Sequence, residues 1–273
     1  MKKSLFIIAA VLLIAGCQER AIIDYKDIIA EGQTFKNINI SGGSLTVEIA
    51  RGKNYSVKGI IAAGETLSAA VKNGALNIAQ SAPLCDKAAN KCKGDIVKIT
   101  VPADFACDSA AISLGSGNII IENLVCNGID LSTLSGNIAM AGASVSTANI
   151  NAQSGNIRLQ DSEIASADIK TASGNVSGRM ITLYEAYINT DSGSIGLEGT
   201  FKNTLNMTTS SGNISLDSSL PAADYYKQIE TEHGSIYING RHMGNRHLSG
   251  GDSAVNRLVA VSNSGNINLS FVQ

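Results

Sequence analysis

The sequence predicts an all-β fold, a right-handed parallel β-helix built from 19-residue coils. Three observations carry that prediction. Ser-Gly-Asn or a close variant recurs with its glycine at Gly117, Gly136, Gly155, Gly174, Gly193 and Gly212, each nineteen residues after the last. Apolar and polar residues alternate around each copy, which is the period of a strand with one buried face. The composition is aliphatic and glycine-rich, with 44% hydrophobic residues, 27 Gly, 4% aromatic residues and no Trp. A fixed period marks a solenoid, and nineteen residues are too few for helical repeats of ~33–47 residues.

The elements follow in chain order. Lys2 and Lys3 precede an unbroken apolar run from Leu5 to Ala15, then Gly16 and Cys17. A basic start, a short apolar stretch and small residues before a cut make residues 1–16 a secretory signal peptide. The run is too short for a membrane span, which needs ~20 residues. Leu13-Ile14-Ala15-Gly16-Cys17 resembles the bacterial lipobox, which implies cleavage before Cys17 and acylation of its thiol, with palmitate among the chains. Gln18 rather than Asp follows the cysteine, a pattern that implies an outer-membrane lipoprotein, facing the periplasm or the exterior. The membrane partner is then engaged through the lipid on Cys17, since several acyl chains anchor stably where one does not.

Residues 17–32 read as a lipidated tether and 33–102 as a strand-rich first part of the solenoid. Alternation marks strands over 35–40, 45–49, 75–78 and 97–102, with Gly42-Gly43, Gly52 and Gly74 at turns. Only residues 65–72 could pass as helix. This part is expected to cover one open end of the stack. Residues 103–273 then form the regular β-helix. Ile119, Ile138, Ile157, Val176, Ile195 and Ile214 should point inward, as should Leu131, Ile150, Ile169, Ile188 and Met207 later in each coil. Arg158, Asp168 and Asn189 should face water. Equivalent residues would stack ~4.8 Å apart.

Two more copies follow at Gly234 and Gly265, after steps of 22 and 31, with a loop insertion near 239–257. The glycine of each copy is expected to supply a positive φ at a corner. The Asn at 118, 137, 156, 175, 213 and 266 is expected to form a hydrogen-bonded ladder, as amides do in cross-β stacks.

The opening Phe35-x-x-Ile38-x-Ile40, the following glycines and Val47-x-Ile49 resemble the bacterial "putative-adhesin", or head-GIN, family. So do Val97-Lys98-Ile99-Thr100-Val101-Pro102-Ala103 and the run of Ser-Gly-Asn-Ile coils. The resemblance covers nearly the whole mature chain. It implies right-handed β-helices that are often secreted or lipid-anchored, and it brings no catalytic residues to carry over.

The remaining chemistry is sparse. Net charge is -2, and loss of Lys2 and Lys3 leaves 19 basic against 23 acidic residues, which argues against a nucleic-acid partner. Beyond Cys17 the chain carries Cys85, Cys92, Cys107 and Cys126, an even number in an exported protein. Cys107 and Cys126 lie one coil apart, within disulfide reach of ~4.4–6.8 Å between Cα atoms. Cys85 and Cys92 would close a short loop, while reduced thiols are the alternative. Cys-x₆-Cys lacks the ligand spacing of a zinc site, and neither metal nor cofactor is expected.

Arg241, His242, Arg246 and His247 fall in the excess of the last step and are the candidate binding residues, on what should be a protruding loop. Asp130 and Asp168, two coils apart at ~9.6 Å, touch the ~6.5–9.5 Å window of inverting glycosidases. Asn149 lies between them and no Trp supplies a sugar platform, so an enzyme is not expected. The chain reads as a lipid-anchored bacterial envelope protein presenting a rigid β-helical surface for adhesion or scaffolding, with a protein or glycan ligand. A periplasmic accessory binding a protein partner in envelope stress or assembly, and a carbohydrate-active enzyme, are the alternatives.

Overall fold

The computed structural model describes residues 26–29, 33–60, 67–80, 95–251 and 254–273. The chain winds into a parallel β-helix with two walls. The central strands of the long-strand wall are Cys107–Leu114, Val125–Thr133, Ser144–Ala152 and Glu163–Thr171, paired in parallel register. Those of the short-strand wall are Ile119–Glu122, Ile138–Ala141 and Ile157–Gln160. Two longer strands, Val176–Thr190 and Ile195–Ser211, turn the corner and contribute to both walls.

The register is the one the period demands. Leu131 faces Ile112 on one neighbour and Ile150 on the other, and Ile157 faces Ile138 and Val176. These side chains fill the interior, while Arg158 beside Ile157 is exposed. β-Branched aliphatics suit such stacks because each packs on its own kind above and below.

The two corners of each coil solve different steric problems. None of the tripeptide glycines from Gly117 to Gly212 has a positive φ, contrary to expectation. Instead, a Cβ on Gly136, Gly155, Gly174, Gly193 or Gly212 would collide with the carbonyl oxygen of the tripeptide glycine one coil back. Close backbone approach therefore fixes glycine here. Positive φ belongs to the other corner, at Asn123 (55°), Gly142 (63°), Asp161 (47°) and Met180 (52°), again nineteen residues apart.

The Asn ladder is present, with a backbone partner at every rung. Asn118 Oδ1 accepts from Asn137 N at 2.9 Å, Asn137 Oδ1 from Asn156 N at 3.0 Å, and Asn156 Oδ1 from Asn175 N at 2.9 Å. A second ladder was not foreseen. Buried hydroxyls three residues before the glycine donate to the glycine carbonyl of the neighbouring coil, as from Thr133 to Gly117 (3.1 Å), Thr171 to Gly155 (3.0 Å) and Thr190 to Gly174 (3.0 Å).

At both ends the order in space departs from the order in sequence. Asn213 Oδ1 accepts from Asn266 N, and Asn266 Oδ1 accepts from Ser235 N. The last segment of the chain thus stacks before the one that precedes it. Asn256–Ser264 lies between Ile195–Ser211 and Tyr225–His233. Ile267–Val272 lies between Ile214–Pro221 and Ile236–Ile238. The opening end mirrors this arrangement. Asn37–Gly42 lies between Ala75–Gln80 and Cys107–Leu114, and Leu45–Gly52 between Asp95–Pro102 and Ile119–Glu122.

Antiparallel strands finish the stack. Leu67–Lys72, where a helix was the alternative, pairs with Ala75–Gln80. Ser56–Ile60 pairs with Asp95–Pro102 and carries Lys26–Ile29 on its outer edge. At the far end Arg246–Ser249 pairs with Tyr225–His233, and Arg241–His242 with Ile236–Ile238. Short terminal strands limit the unpaired edge that a solenoid would otherwise present. The few aromatics plug the interior where stacking stops. Phe35, Tyr55 and Phe105 meet edge-on at 5.1–5.9 Å between centroids near the first end, and Tyr225 packs on Phe271 at 5.4 Å near the other.

Candidate binding surface

Inward and outward side chains alternate along each strand of the long-strand wall, and each outward position recurs every nineteen residues, so a coil-by-coil ladder of small polar side chains covers its outside. One outward row runs Asp130, Asn149, Asp168, Tyr187 and Asn206, and a parallel row runs Ser132, Asn151, Lys170, Asn189 and Thr208. Side chains bond along and between the rows: Asn149 Nδ2 donates to Asp130 Oδ1 at 3.4 Å within the first, and Lys170 Nζ of the second lies 2.7 Å from Asp168 Oδ2 of the first. Open, shallow depressions of about 840, 830 and 300 Å³ run along this face.

Aromatic side chains stand at its acidic middle. Tyr187 is 48% exposed, between Asp168 and Asn206 in the ladder. Nearby, Tyr184 donates to Glu163 Oε1 at 2.9 Å, and the carboxylate holds its phenol above the usual tyrosine range. Lys202 Nζ sits 5.1 Å from the Tyr184 ring centroid, a cation–π contact. The sequence singled out the carboxylates of this row but not Tyr184, whose signal was an aromatic beside an outward strand position in a chain with few aromatics.

The residues singled out from sequence fare differently. Cys17, Cys85 and Cys92 lie outside the described residues. Cys107 and Cys126 face each other in register on adjacent coils, both buried and both as thiols. Their mutual hydrogen bond, then burial, pushes the Cys107 thiol up. Cys126 Sγ also donates to Gly128 O at 3.1 Å.

The segment expected to protrude as a loop is instead laid down as the antiparallel edge strands of the far end. It carries Arg241 and His242 on the short-strand wall and Arg246 and His247 on the long-strand wall, so the two pairs do not form one cluster. His242 rests on Tyr237 with centroids 5.4 Å apart. Half-buried His247 shares a 2.7 Å hydrogen bond with Ser249 Oγ, and desolvation and the charge of Lys227 hold its imidazole below the usual histidine range. Lys227 points into the end of the core, where its ammonium donates to Ala222 O at 2.6 Å and Tyr225 O at 2.9 Å. Burial lowers its pKa. Among the described residues no helix is long and apolar enough to cross a membrane.

A two-walled parallel β-solenoid, closed at both ends and polar along one wall, is the class this geometry defines. The chain belongs to the Toastrack DUF4097 family, whose pattern it matches over residues 35–270. Its fold is similar to the crystal structure of a "putative adhesin" from Bacteroides fragilis, with 14% identity, a TM-score of 0.54 and coverage of 91% of this chain and 96% of that one. A "putative cell adhesion protein" from Clostridium sporogenes aligns with 14% identity, a TM-score of 0.31 and coverage of 91% and 98%. No curated protein matches the chain.

Proposed function

We propose that the chain is a lipid-anchored protein of the bacterial envelope whose long-strand wall is a rigid, non-catalytic surface for adhesion or scaffolding. The observation that carries this reading is the unbroken outward ladder from Asp130 to Asn206, held flat by the parallel register beneath it. Polar side chains on a stiff lattice meet a ligand without a large ordering cost, and Tyr187 adds an amphipathic contact. The name of the Bacteroides fragilis protein of similar fold agrees with this reading, and the lipobox ending in Cys17 with Gln18 after it supports outer-membrane anchoring.

Adherence of intact cells to glycan- and protein-coated surfaces tests the wall. Asn149→Arg with Tyr187→Ala should reduce it at equal surface amounts, whereas Arg158→Glu on the short-strand wall should not. Unchanged adherence in the first variant, together with protection of the protein from protease added to intact cells, would refute the adhesive reading. Cys17→Ser should leave the chain soluble or unprocessed on fractionation. An acylated, mature-length product in the membrane fraction would exclude Cys17 as the anchor.

A further inference from the structure

Charge is segregated along the axis of the solenoid. Over the described residues 26–102, which build the first end, seven Lys and Arg stand against three Asp and Glu. One of those three, Asp95, is buried and accepts from Gln80 Nε2. The other two are matched: Asp27 with Lys58 at 3.5 Å and Glu48 with Lys98 at 4.0 Å. Exposed Lys36, Lys53 and Lys72 make no ion pair with any described residue. Lys36 and Lys53 line an open groove of about 840 Å³ with Tyr55 and one carboxylate, Asp104. Over residues 103–224 the balance inverts to four basic against twelve acidic. The far end is close to neutral, with its Lys227 buried.

The basic end is also where the chain enters. Among the described residues Lys26–Ile29 is the outermost strand of the short-strand wall there, paired only with Ser56–Ile60. Lys26 stands nine positions after Cys17, a reach of roughly 32 Å at full extension. We infer that this end of the solenoid, through Lys36, Lys53 and Lys72, docks on the anionic headgroups of a phospholipid surface, with the acidic coils held away from it. The inference rests on the reading of Cys17 as the lipid attachment site, because that tether delivers this end and no other to the bilayer. Basic residues near a membrane add attraction that decays within a Debye length. The same surface repels the acidic middle, so the rod is oriented as well as held.

Vesicle sedimentation of the chain from residue 18 onward, which contains every described residue and no acyl anchor, tests the end by itself. It should bind vesicles rich in phosphatidylglycerol and not vesicles of phosphatidylcholine. Binding should vanish at about 1 M salt, where the Debye length is ~3 Å. Lys36→Gln, Lys53→Gln and Lys72→Gln together should weaken it about a hundredfold, each lysine counting for about fivefold. Arg241→Gln with Arg246→Gln at the far end should leave it unchanged.

Equal binding to both vesicles, absence of binding, or equal loss from the two variants would overturn the inference. So would salt-sensitive self-association without vesicles, which would assign the basic end to the acidic coils of a second copy. None of these lysines lies in the outward rows tested for adherence, so vesicle binding and adhesion fail independently.

Discussion

At the scale of the residue, position within the coil outweighs residue type. Gly155 and Met180 occupy the two corners, and their substitution should have opposite signs. Gly155→Ala drives a methyl into the Gly136 carbonyl, so the coils must part, at a cost of about 3 kcal/mol or more. Met180→Gly relieves a left-handed conformation that costs an L-residue roughly 1–2 kcal/mol, and it sacrifices only a 53% exposed side chain. It should stabilise the protein by about 1 kcal/mol after glycine's own entropy is counted. Urea unfolding of both variants checks the pair, and a stabilised Gly155→Ala would show that the close approach is not what selects glycine. The sequence displays a glycine every nineteen residues, but a missing Cβ looks the same whether φ or a neighbouring carbonyl requires it. The hydroxyl ladder was equally visible, as Thr133, Thr171, Thr190 and Thr209 three residues before the glycine, yet Ala152 interrupts the pattern and hides it.

At the scale of the element, the regular coils were legible and the end strands were not. Five identical steps of nineteen fix register, inward face and Asn ladder together, because stacking has one solution when every coil has the same length. Steps of 22 and 31 carry no such constraint. The extra residues around Arg241 and His247 therefore read as a loop, whereas the free edges beneath them make strand pairing the better state. Cys107 and Cys126 test the register chemically. Their strands pair directly, so peptide mapping of oxidised protein should recover them joined, closing a loop of about 20 residues and adding ~3 kcal/mol. Recovery of either joined to Cys85 or Cys92 would contradict the pairing. His247 reports on the edge strand Arg246–Ser249. Its folded pKa lies below the ordinary 6.5, so the unfolded state binds the proton more readily and stability rises with pH. Stability should be unaffected by this group above about pH 6.5 and should fall as pH drops through the depressed value. His247→Gln should flatten that acid limb in denaturation curves, and an unchanged limb would assign it to other groups.

At the scale of the whole molecule, a chain of near-identical coils is expected to behave as a one-dimensional array, in which loss of an end coil costs little elsewhere. The closure of the far end breaks that rule. Removing residues 254–273 takes out a layer with a coil on each side of it, so the strands Ile214–Pro221 and Ile236–Ile238 lose their shared partner at once. Hydrogen exchange should then show protection lost over 225–238 and retained over 125–171. Retained protection at 225–238 would mean that this coil can dock directly on its new neighbour. The same layering sets a timetable. Coils up to residue 221 can be laid down one after another as the polypeptide emerges, but the coil at 225–238 has no seat until residues 256–272 arrive to fill the gap beneath it. This end cannot be completed from a moving front, and the strands Asn256–Ser264 and Ile267–Val272 act as its keystone.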